Sequence, residues 1–143
     1  MPGVRRSVGG RLDGELFSGV ASWNAGRFCE AADRFEDVWV GEVGARRACL
    51  RGLIHVAMGL HYLGVEDAER ARAKLATAAR LLESLPADGL GLDLGHLRSG
   101  VALIRARLEA GKGGGDPLVT IRGVPLPRLR VASGEADGSA DAP

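Results

Sequence analysis

No charge of one sign dominates this 143-residue sequence: 19 basic residues face 18 acidic ones, for a formal net charge of +1. A dedicated nucleic-acid or membrane-surface binder needs a clustered basic field, so neither partner is expected. Cysteine is scarce. Cys29 and Cys49 are the only two, too far apart for a CxxC metal or redox motif. Each falls within an apolar helical pattern and reads as a small, reduced core or boundary residue. No apolar run approaches the ~18 residues of a membrane-spanning helix. The opening MPGVRRSVGGRLDGELF has early arginines but lacks the apolar stretch of a signal peptide. A cytoplasmic protein is expected. Catalytic signatures are missing as well: there is no HExxH, no P-loop and no Gly-rich fingerprint after a strand. GKGGGDP holds a lysine among glycines, but no strand precedes it and no GK[ST] ends it, so it reads as a linker. No cofactor is expected.

What is present is helical periodicity. The length suits one domain with a single core, and 45% of residues are hydrophobic. Leu16, Phe17, Val20 and Trp23 stripe a first helix over 12–24, ended by the C-cap-like Asn24-Ala25-Gly26. Phe28, Ala31, Phe35, Val38 and Trp39 stripe a second over 27–40. A third, over 45–62, carries Leu50, Leu53, Ile54, Ala57 and His61 on one face and is apolar nearly all round, which makes it the central helix. Gly64 closes it. A fourth over 67–85 repeats Ala71, Leu75, Ala78, Leu82 and Leu85 before Pro86 stops it. A fifth begins near Asp93, a plausible N-cap, with Leu94, Leu97, Val101, Ile104 and Leu108 as its seam.

PLVTIRGVPLPRLRV has the β-branched and proline content of an extended segment that could lie across the bundle. The small, acidic ASGEADGSADAP is expected to be disordered. The predicted fold is therefore all-α: a compact bundle of about five helices with an extended C-terminal tail. Its parts are a flexible leader (1–11), a helical domain (12–110), a linker and extended tail (111–131) and a disordered end (132–143). The stretches starting at Gly26 and Gly64 resemble tetratricopeptide helix pairs, but without a third copy they read as two helix pairs of one bundle.

One stretch carries candidate chemistry. GRFCEAADRFEDVW sets Asp33, Glu36 and Asp37 on a helix whose apolar stripe passes through position 32. Positions 33 and 36 flank that stripe, where a carboxylate can be tuned by desolvation or meet a base from the next helix. Arg46, Arg47 and Arg51 open that next helix. The plainer reading is an Arg–Glu clamp or a solvated face. His55 and His61 lie six residues apart, roughly 240° around the helix, so they cannot form the same-face pair of a zinc site. His61 reads as a structural core residue, His55 as able to reach a neighbouring helix, and His96 as incidental. Trp23 and Trp39 read as core anchors.

In this order, LFSGVASWNAGRFCEAADRFEDVW, RRACLRGLIHVAMGLHYLG, ARAKLATAARLLESL and LGLDL resemble the bacterial and archaeal family called domain of unknown function 309, over about Leu16 to Leu108. Members show a Gly-x-Phe-x-x-Ala-His-Glu-x-x-Glu-x-x-Trp helix followed by Arg-x-x-Leu-x-Gly-Leu-Ile-Gln. The resemblance implies a small all-helical domain and brings no established reaction. The family's His falls on Ala32 here, its first Glu on Asp33 and its Gln on His55. Glu36, Trp39 and Arg47 match. A His–Glu pair four residues apart would share a face, but Ala32 can neither ligate nor move a proton. A structural Glu36–Arg47 pair is therefore expected.

The leading functional reading is a non-catalytic helical domain that binds an unknown protein partner or itself as a homo-oligomer. One alternative is a metal-binding or hydrolase-like site built around Asp33, Glu36 and His55. Another is a small-ligand pocket between the second and third helices, lined by Trp39 and Glu36. The candidate site comprises Asp33, Glu36, Trp39, Arg47 and His55.

Overall fold

The computed structural model describes residues 14–111 and 123–132. Five helices follow in order: α1 (Gly14–Asn24), α2 (Phe28–Trp39), α3 (Gly44–Gly64), α4 (Ala68–Glu83) and α5 (Leu94–Ala110), with a short 3₁₀ turn at Gly89–Gly91. The all-α expectation holds: the described residues contain no strand, only one isolated antiparallel bridge between Leu92 and Val131. The leader, most of the linker and the acidic end lie outside the described residues.

The connections explain the arrangement. Gly26 ends α1 with φ of 84°. Its N–H donates to Trp23 O and that of Arg27 donates to Ser22 O, the paired bonds of a Schellman cap. α3 ends the same way, with a difference: Gly64 is its last helical residue, and the left-handed cap position falls on Glu66 at φ 63°. Asp67 and Asp93 are true N-caps, accepting from the N–H groups of Arg70 and His96. These short links make sequence neighbours pack side by side. α3 lies between α2 and α4, and α5 closes on α4.

Leu50, Leu53, Val56, Ala57 and Leu60 of α3 are buried from both sides, against Phe35, Leu75, Ala78 and Leu82 of the same core cluster. Three expected core positions are not filled as predicted. Phe17 is 60% exposed, because one residue after Leu16 the helix has turned 100° away from the Leu16–Val20–Trp23 stripe. His61 sits half-buried at the edge of the α3 stripe and packs on the Tyr62 ring. Cys29, one residue past Phe28, faces solvent, whereas Cys49 is buried; both are free thiols.

The tail clasps its own bundle. From Gly123 to Ala132 it runs along α1 and α5. The Trp23 indole N–H donates to Pro127 O at 2.8 Å. The Asn24 side chain pairs with the backbone of Leu129 in both directions, at 2.8 and 2.9 Å. Arg130 donates to the Asp93 carboxylate at 3.1 Å, and Ala132 N–H donates to Gly91 O. Gly100 lets this happen: a Cβ there would meet Pro127 at 2.7 Å.

Candidate functional site

α2 and α3 meet along a seam that sets Trp39 opposite Arg47. The Arg47 guanidinium lies 3.6 Å above the Trp39 ring and donates to the carbonyls of Trp39 and Glu42 at 3.1 and 3.2 Å. It does not pair with Glu36. The expected clamp fails because the indole face and two carbonyls at the end of α2 offer Arg47 planar stacking and two acceptors at once. Arg46 is also drawn aside, to Glu42 at 3.2 Å.

With both arginines committed elsewhere, a recess of about 180 Å³ stays open one turn along the seam. Glu36 and Trp39 from α2 line it, with Arg51, Ile54 and His55 from α3. Spacing of three residues on α2 and four on α3 puts each set on one helix face. Three predicted residues therefore converge: Glu36, Trp39 and His55. Asp33 is exposed and is not part of the lining. Trp39 is half-buried, packed against the core while it lines the recess, whereas Trp23 is 1% exposed.

Two of the lining residues also keep a polar atom shut away from solvent. Trp39 Nε1 and His55 Nδ1 are buried with no hydrogen-bond partner. A buried unsatisfied polar group costs about 1–3 kcal/mol, so two beside one recess call for an explanation. Burial, then the charges of Lys74 and Arg51, hold the His55 pKa below its usual value. The imidazole is kept neutral, with no carboxylate bonded to it to orient it. Among the described residues no three His, Cys, Asp or Glu side chains come close enough to hold a metal ion. Ala32, at the family's histidine position, is 2% exposed, sealed under the seam. Ala32→His is expected to destabilise the fold by about 1–3 kcal/mol through overpacking, without creating zinc affinity; chemical denaturation with and without zinc checks both.

Among the acids of α2, the one that is engaged is Glu30. Its carboxylate accepts from the buried Ser22 hydroxyl at 2.6 Å and from Arg27 at 3.5 Å, with Arg34 also at 3.5 Å. The Ser22 bond, aided by the arginines, lowers its pKa. This joins α1 to α2. Nothing in the helical periodicity marks it, because Ser22 and Glu30 meet only when Gly26 folds the chain back.

Both shifts make stability depend on pH in the same direction. Below about pH 6.5 the unfolded chain protonates His55 more readily than the folded one. Stability is therefore full above that pH and declines as pH falls. It declines again below the ordinary glutamate range, as Glu30 is protonated and its bonds are lost. Urea midpoints across pH 8 to 3 should fall in two stages, and His55→Gln should abolish the first.

The fold and site define a small helical bundle strapped by its own tail, with a recess of about 180 Å³ between its second and third helices. Residues 16–73 match the model of the family described as Domain of unknown function (DUF309), so the resemblance seen in the sequence is borne out from α1 into α4. The remainder of the resemblance, to Leu108, lies beyond the matched residues. No curated protein matches the chain.

Proposed function

We propose that this chain is a non-catalytic binding domain whose ligand sits between α2 and α3. One observation carries the reading: Glu36, Trp39, Arg51 and His55 surround a single recess, and the Glu36 and Arg51 charges there form no ion pair among the described residues. The recess offers recognition groups but no reactive set. It contains no Ser, Thr, Cys or Lys nucleophile, and a histidine base without an orienting partner lacks the second half of an acid–base relay. Reversible stabilisation of the protein by small polar compounds, each recovered chemically unchanged, is the expected result of a thermal-shift screen followed by mass analysis. Recovery of a converted compound would contradict it.

Self-association or binding of a protein partner is a second reading, supported by a groove of about 560 Å³ between α5 and the tail. There Leu103 and Leu126 are 43% and 41% exposed. Light scattering of the purified chain should give a mass above the monomer; a strict monomer at high concentration rules out the homo-oligomer. We place the protein in the cytoplasm, away from nucleic acid and membranes. The near-balanced charge, the two free thiols and the lack of any described helix long and apolar enough to cross a membrane support this.

A further inference from the structure

The chemistry of the recess narrows its ligand. Arg51 and Glu36 are opposite charges on facing helices, and neither forms an ion pair or hydrogen bond among the described residues. Trp39 Nε1 and His55 Nδ1 also lack partners, but both atoms are shut off from the recess, so the two charges set its chemistry. A simple carboxylate would satisfy Arg51 but leave Glu36 facing it. Inorganic phosphate, with more negative charge, would be repelled more strongly by Glu36. A simple amine would satisfy Glu36 and be repelled by Arg51. Only a molecule carrying both charges answers both residues.

The volume sets the scale. About 180 Å³ lies below the range of drug-sized ligand pockets, which starts near ~300 Å³, so the group it encloses is small. Ile54 supplies the apolar wall. Together these describe a compact zwitterion with a short aliphatic side chain.

We infer that the recess binds a free α-amino acid or a close analogue. Its carboxylate lies against Arg51 and its ammonium lies against Glu36. The inference rests on the recess being a binding site and specifies what fills it. The helix seam produces this selectivity: Arg47, by stacking on Trp39 and not pairing with Glu36, leaves the Glu36 carboxylate free.

Calorimetry with four probes tests it: L-valine, isovalerate (the same skeleton without the ammonium), isobutylamine (without the carboxylate) and inorganic phosphate. L-Valine is expected to bind at least tenfold more tightly than the other three. Glu36→Gln should erase the preference for valine over isovalerate while isovalerate still binds. Arg51→Met should abolish binding of both. Both residues are exposed, and circular dichroism should show an unchanged fold in each variant. Isovalerate or phosphate binding as tightly as valine would overturn the zwitterion and leave the recess a binding site. So would a Glu36→Gln variant that still discriminates. No binding of any probe would overturn the amino-acid inference. If both variants also lost stability, Glu36 and Arg51 would pair with each other and close the recess, and the binding reading would fail too.

Discussion

Replacing Phe35 with alanine is expected to lower the unfolding free energy by about 3–5 kcal/mol. Phe35 is fully buried and packs against two residues of α1. Its ring lies 6.3 Å from that of Trp23, and it occupies the notch left by Gly19, where a Cβ would come within 2.5 Å of it. Such a contact has no slack. Cutting the ring away leaves a cavity at the α1–α2 crossing, which α1 can fill only by shifting its whole axis. Filling the notch from the other side should also hurt: Gly19→Ala pushes against the same ring. Guanidinium melts of the two variants give the comparison, and a Phe35→Ala loss below 1 kcal/mol would show that α1 does not pack as described.

Removing the tail from Gly123 onward is the second large effect, expected at about 2–4 kcal/mol. Leu129 is 4% exposed, and burying a leucine is worth about 1.5–3 kcal/mol. The Trp23 indole loses its carbonyl acceptor at Pro127, which adds about 1–3 kcal/mol if the group stays buried. The entropy regained by the freed chain offsets part of this sum. Asn24→Ala, which breaks both side-chain bonds to Leu129, should reproduce a fraction of the loss without shortening the chain. A truncated protein as stable as the full chain would mean that the tail rests on the bundle without supporting it.

The helices were legible because each signals itself locally. The apolar residues of α4 at Ala71, Leu75, Ala78 and Leu82 repeat at helical spacing, and Gly26, Pro86 and the Asp93 cap bound their neighbours. Position around each helix was less legible at the margins of a stripe. Phe17 and Cys29 sit one residue from buried neighbours, and a single step of 100° is the difference between core and solvent. The tail was legible as extended but not in its path, since its anchors on Trp23, Asn24 and Asp93 are more than 35 positions away in sequence. His96 looked incidental for the same reason: it lines the groove that only the docked tail creates.

The site was half legible. Glu36 and Trp39 share a face of α2, and His55 could be placed within reach on the next helix. Charge pairing, however, misled the assignment of Arg47. Its preference for the Trp39 ring and two helix-end carbonyls depends on where α3 starts relative to α2, and a sequence does not carry that register. Asp33, adjacent to the stripe in the helical pattern, turns outward. Arg51, named only as one of three arginines opening α3, became a recess residue because its two neighbours found other partners.

The two tryptophans supply the most direct measurement. Trp23 donates its indole N–H to Pro127, whereas the Trp39 N–H has no partner, so their indole resonances in a ¹⁵N-resolved spectrum report on the strap and the recess separately. Added L-valine should move the Trp39 indole signal, because the ring lines the recess, and leave that of Trp23 in place. A Trp39 signal that stays still at saturating amino acid would contradict a binding site between α2 and α3.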